Sequence, residues 1–139
     1  FVLQVLSRLK AGGRIKVSND VHYNPTFVEN LAEVVVALAA AGAGGLFHVV
    51  GADTFRRDEF ARLAAGAFGL DPAGVLGVSS DEFQAPAKRP RKSVLSTAKV
   101  RAAVKTPILG MAAALALMKE GEAAWRAYAE VSLPRAGGA

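Results

Sequence analysis

Residues 24–68 read NPTFVENLAEVVVALAAAGAGGLFHVVGADTFRRDEFARLAAGAF, and the apolar spacings inside this stretch decide the fold. Phe27, Leu31, Val34, Val35 and Leu38 recur every three or four residues, which lays one apolar stripe along a helix. Gly42, Gly44 and Gly45 end it. Leu46, Phe47, His48, Val49 and Val50, closed by Gly51, form a short apolar run, which predicts a strand covered on both faces with His48 a satisfied core histidine. Phe60, Leu63, Ala64, Ala67 and Phe68 predict a second helix, capped by Asp53 or Thr54, with Asp58 and Glu59 near the positive end of its dipole. A strand between helices makes the chain α/β, mostly helical with a few short, mainly parallel strands.

Outward from this stretch, Val2, Val5, Leu6 and Leu9 predict a first helix ending at Gly12 and Gly13, and Ile15 to Val17 a short strand. Phe1 opens directly on that stripe with no cap before it, the pattern expected of a processed precursor or of a fragment of a longer protein. His22, Tyr23, Asn24 and Pro25 make a loop into the helix that starts near Thr26; Asn24 and Thr26 either cap that helix or line a ligand cleft beside its N-terminus. Val75 to Val78 predicts a short strand, and Ser79 to Ser93 a polar loop carrying Lys88, Arg89, Arg91 and Lys92 around Pro90. A short helix capped by Ser96 or Thr97 runs to Val104, and an apolar helix from Ile108 to Met118. Trp125, Tyr128 and Val131 share a helical face. One domain over 1–133 with a frayed tail over 134–139 is the expected organisation.

The composition narrows the function. Of 139 residues 52% are hydrophobic, enough for one core, and 17 Lys and Arg against 12 Asp and Glu give a net charge of +5, which favours an anionic partner. The absence of cysteine removes disulfide and thiolate chemistry and fits a cytoplasmic protein. The longest apolar run, Pro107 to Met118, falls short of the ~20 residues that span a bilayer, so no membrane partner is expected.

The residues show no catalytic centre. No glycine cluster sits between a strand and a following helix as a phosphate-binding loop requires. His22 and His48 are far apart and lack a ligand partner at metal spacing, and no serine or threonine sits in a nucleophile elbow. The basic run at Lys88 to Lys92 has no interleaved aromatics, which argues against nucleic acid as a partner.

Asp20, Pro25, Thr26, Leu31 and Ala32, then Gly45, Leu46, Phe47, His48 and Gly51, then Glu59, Phe60 and Ala61, then Arg89, Pro90, Ser93, Leu95 and Ser96 occur in that order. In this the chain resembles the C-terminal half of the dTDP-4-dehydrorhamnose reductases, which belong to the extended short-chain dehydrogenase/reductases. It departs from the family pattern at Val21, where Gln is usual, at Tyr23 in place of Gly, at Asn30 in place of Asp and at Lys92 in place of Asn. The family's N-terminal Rossmann half, with its glycine-rich loop and Tyr-x-x-x-Lys pair, has no counterpart; neither Tyr23 nor Tyr128 has a Lys four residues on.

The resemblance implies the substrate-binding portion of a reductase that uses NADPH or NADH on a nucleotide-linked 4-keto sugar. It implies a nucleotide-sugar partner, a missing Rossmann half, no catalytic residue and no cofactor bound by this chain alone, and a possible homo-oligomer. Arg89 is then the best candidate for a diphosphate or sugar contact, because a guanidinium matches phosphate oxygens bidentately. Lys88, Arg91 and Lys92 would raise the local potential, and Tyr23 and Asn24 would line the cleft. The alternatives are a solvated basic loop, a non-catalytic regulatory or binding module of the same fold, and another nucleotide-sugar epimerase or dehydratase.

Overall fold

The structure, a computed structural model, describes residues 1–83, 86–87 and 90–122. The stripe at Trp125, Tyr128 and Val131 and the tail at 134–139 lie outside the described residues, as do Lys88 and Arg89. Helix α1 covers Val2–Lys10, and strands β1 and β2 cover Ile15–Ser18 and His22–Tyr23. Helix α2 covers Val28–Ala40; strand β3, Phe55–Arg56, runs straight into α3, Arg57–Ala67. Strand β4 is Val75–Val78 and β5 is Lys92–Ser93, followed by α4 over Ala98–Ala103 and α5 over Met111–Glu120.

Two small sheets form among the described residues. In one, β1 and β4 pair in parallel with Val17 opposite Gly77. In the other, β2 is central, antiparallel to β3 and parallel to β5. Helix α3 joins them, because its faces serve two core clusters. Phe60 and Ala64 pack with Met111, Ala114 and Leu115 of α5, while Ala61 packs with Val5, Val17 and Val75. Ala61, Ala64 and Ala65 are fully buried, and their small side chains let neighbouring elements approach closely. A third cluster of Val34, Val100 and Ile108 holds α2, α4 and the lead into α5 together.

The mixed, mostly helical α/β architecture agrees with the sequence reading, but three local expectations do not hold. Leu46 to Val50 forms no strand, because it pairs with no strand among the described residues; Phe47 and Val49 pack on the third cluster, and Leu46 and His48 are exposed. His48 is therefore not a core histidine. Asp53 does not cap α3: its Oδ2 accepts a hydrogen bond of 2.7 Å from the Met111 amide and caps α5. At the start of α3 the Glu59 carboxylate accepts from the Arg56 amide at 3.0 Å instead.

Asn30 explains the entry into α5. It is buried, its Nδ2 donates to the Pro107 carbonyl at 2.9 Å, and its Oδ1 accepts from the Leu109 amide at 2.9 Å. An ionised aspartate at this position could accept but not donate, so the amide suits both partners. Gly51 marks another close approach, since a Cβ there would run into the Pro25 carbonyl.

Candidate functional site

Cross-strand register builds the site. In the β3-β2-β5 sheet Arg56, His22 and Lys92 form one row, and Phe55, Tyr23 and Ser93 the next. Successive rows face opposite sides of a sheet. The Tyr23 row packs inward: the Tyr23 ring meets Phe60 edge-on at 6.2 Å, and Phe55 lies 6.1 Å from the same ring. The Arg56, His22, Lys92 row therefore takes the outer side and places three nitrogen-bearing side chains together.

Their charges are not equally available. The Arg56 guanidinium is held by Asp58 at 3.2 Å and Glu59 at 3.3 Å. Lys92 is exposed and has no carboxylate partner among the described residues. Arg91, one position earlier, is engaged by Asp81 at 2.9 Å and by Asp20 at 3.7 Å, while its carbonyl accepts from the His22 amide at 2.8 Å. Arg91 thus anchors the loop rather than raising the local potential. Burial pushes the Asp20 carboxyl up, but hydrogen bonds from the Ser80 hydroxyl and amide, with the charge of Arg91, bring it below the ordinary carboxylate value.

Tyr23 is half-buried, and burial pushes its phenol up to about 12, with Arg57 partly opposing. Arg57 lies over the Phe1 ring at 4.5 Å and the Tyr23 ring at 5.8 Å, and has no carboxylate partner among the described residues. Asn24 has both polar ends in use. Its Nδ2 donates to the carbonyls of Gly51 at 3.4 Å and Asp53 at 3.2 Å and to Thr54 Oγ1 at 3.4 Å, while its Oδ1 accepts from the Leu95 amide at 2.9 Å. Thr26 Oγ1 accepts from the Gly51 amide at 3.1 Å and donates to the Asn24 carbonyl at 3.2 Å. Neither residue caps α2; together they fasten the 51–54 and 94–97 loops to the end of β2.

Of the five candidates, Tyr23 and Lys92 lie on the neighbouring strands β2 and β5 but on opposite faces of the sheet, and Asn24 directly follows β2. Lys88 and Arg89 lie outside the described residues, four and three positions before Lys92 in the chain. Sequence reasoning placed His22 in the loop that lines the cleft but missed Arg57, because its stacking on Phe1 and Tyr23 joins residues far apart in the chain. It also missed the Asp58 to Arg62 pair, which the i, i+4 spacing could have indicated: Arg62 donates to the buried Asp58 carboxylate at 2.6 Å. Two surface hollows beside α1 are lined by other described residues, Leu3, Gln4 and Arg8 in one and Leu9, Arg14 and Gly74 in the other. Among the described residues no cluster of His, Cys, Asp and Glu could hold a metal ion, and no helix is long and apolar enough to cross a membrane.

Residues 1–122 match the family model described as the RmlD substrate binding domain. The chain is similar to dTDP-4-dehydrorhamnose reductase of Mycobacterium tuberculosis, 40% identical over 114 residues, which is 81% of this chain and 38% of that protein. Its fold is similar to that of dTDP-4-dehydrorhamnose reductase from Clostridium acetobutylicum, with a TM-score of 0.79 and 26% identity over 86% of this chain and 42% of that one. The Bacillus anthracis reductase, solved in complex with NADP, gives 0.76 and 26% over 83% and 41%. The chain spans about two fifths of the length of these relatives. It belongs to the RmlD substrate binding domain family.

Proposed function

We propose that these residues are the substrate-binding portion of a reductase that uses NADPH or NADH to reduce a dTDP-linked 4-keto sugar. The observation that carries this reading is the family match across residues 1–122, with relatives named as such reductases. The local geometry agrees with it. An exposed Lys92 beside His22 offers positive charge to a diphosphate, and the Tyr23 phenol stays protonated as a hydrogen-bond donor. Arg89 and Lys88, just upstream on the same loop, would add to that charge.

The role of this portion is positioning: it grips the nucleotide and holds the keto carbon where reduction takes place. The described residues do not fit a dinucleotide. Gly12 and Gly13 follow a helix and precede a strand, as do Gly42, Gly44 and Gly45 relative to α2 and the run after it, the reverse of the order that cradles a pyrophosphate. The cofactor belongs to the rest of the polypeptide. The test is NADPH and NADH oxidation by the complete polypeptide with dTDP-4-dehydrorhamnose. Turnover dependent on the keto sugar supports the reading, and saturable binding of the sugar nucleotide with no turnover would favour a regulatory module.

A further inference from the structure

Three arginines among the described residues are partly buried, Arg56, Arg57 and Arg62, and their partners differ. Arg56 and Arg62 close on the buried Asp58 carboxylate at 3.2 and 2.6 Å. The Arg57 side chain has neither a carboxylate nor a carbonyl partner among the described residues; its guanidinium lies over the Phe1 ring at 4.5 Å and the Tyr23 ring at 5.8 Å. Withdrawing a charge from water without a counter-charge is unfavourable, and a ring face offsets only part of that. A guanidinium laid over a ring commits its face and keeps the N–H donors of its rim for an acceptor.

The Tyr23 hydroxyl beside it also has no hydrogen-bond partner among the described residues, and burial keeps the phenol protonated as a donor. No fully buried side-chain nitrogen or oxygen among these residues goes unbonded, so the unpaired Arg57 and Tyr23 groups both reach the surface. Both are held in place. The Arg57 amide donates to the Val21 carbonyl at 3.0 Å, just before β2. Phe1 stacks on Phe60 at 5.8 Å, and Tyr23 meets the same ring edge-on at 6.2 Å. A fixed fork of donors beside a fixed hydroxyl, with no internal acceptor, suits an oxyanion.

We propose that Arg57 and the Tyr23 hydroxyl bind the diphosphate of the sugar nucleotide directly. This deepens the proposed function and rests on it: the diphosphate is the anion such a ligand carries, and its oxygens match a guanidinium bidentately. Lys92, on the other face of a sheet whose strands β2 and β5 are two residues long, then adds its field to the same anion.

Isothermal titration of the complete polypeptide with dTDP and, separately, with thymidine tests this without reading activity. Arg57→Met keeps an apolar stem against Phe1 and removes the donors. It should weaken dTDP binding about 10- to 100-fold, as loss of a hydrogen bond to a charged group does, and leave thymidine binding as in the wild type. Arg57→Lys, which keeps the charge without the planar fork, should recover part of that loss, and Tyr23→Phe should cost roughly 5-fold. Equal dTDP affinity in wild type and Arg57→Met overturns the assignment; a lowered melting midpoint alongside it would give Arg57 to a carboxylate elsewhere in the polypeptide. Equal losses for dTDP and thymidine also overturn it, because the contact would then be to the nucleoside. These outcomes leave the proposed function standing, whereas a wild-type polypeptide that binds neither dTDP nor the dTDP-linked keto sugar overturns both.

Discussion

Lys92 lies directly across from His22 in the parallel pairing of β5 with β2, while its neighbour Arg91 is tied to Asp20 and Asp81. Adjacent cations in one basic loop thus have different roles, one available to a ligand and one holding the loop. Lys92→Ala should weaken binding of a dTDP-linked sugar by roughly 1 kcal/mol, between an exposed ion pair and a charged hydrogen bond. Arg91→Ala should instead lower the melting midpoint with a smaller loss of affinity. Isothermal titration and thermal melts of the two variants in the complete polypeptide distinguish these outcomes. A larger affinity loss for Arg91→Ala than for Lys92→Ala would reverse the assignment.

Asn24 joins two loops to the end of β2 through both ends of its amide. Asn24→Asp keeps the acceptor for the Leu95 amide but loses the donor, and places a carboxylate against the carbonyls of Gly51 and Asp53. The expected cost is about 1–3 kcal/mol for leaving such groups unsatisfied, read by denaturant unfolding. Substrate affinity that falls while stability is unchanged would make Asn24 a ligand contact instead.

Asp58 is buried between Arg56 and Arg62. Burial pushes its carboxyl up, but hydrogen bonds from Arg62 and Arg56 and their charges outweigh it, so the folded value lies below the ordinary one. Its stabilisation is therefore complete above the ordinary value of about 3.9 and is lost as pH falls through the lower folded value. Asp58→Asn should cost about 3 kcal/mol at neutral pH, the low end for a broken buried pair because both arginines reach water. It should also flatten the acid limb of the stability profile, which a urea titration at several pH values measures.

The Tyr23 phenol gives the opposite limb. Its folded value of about 12 exceeds the ordinary value near 10, so its contribution is intact below the ordinary value and lost as pH rises from there toward 12. Tyr23→Phe should remove that alkaline decline from the stability profile. An identical decline in wild type and variant would place its origin elsewhere.

The long periodic elements were legible in the sequence: α1, α2, α3, β1 and β4 follow from apolar spacing and glycine stops. What was not legible depends on distant neighbours. The run at Leu46 to Val50 has a strand's composition, but strand pairing needs a second strand, which no local pattern supplies. Asp53 stands shortly before α3 in the sequence, yet it reaches α5, a contact between residues far apart in the chain. Lys92, Tyr23 and Asn24 were recognisable as candidates, whereas the difference between Lys92 and Arg91 lies wholly in Asp20 and Asp81.

The central claim, that this chain grips the nucleotide sugar while the cofactor sits elsewhere, is tested most directly by ligand affinities of the complete polypeptide with and without Arg89. Arg89→Ala should weaken binding of the dTDP-linked 4-keto sugar by roughly 1.5 to 3 kcal/mol, the range for a hydrogen bond to a charged group. NADPH affinity should be unchanged. Arg89→Lys should recover part of the loss, because an ammonium keeps the charge without the planar fork. Equal sugar-nucleotide affinity in wild type and Arg89→Ala, or a matching loss of NADPH affinity, would contradict the account.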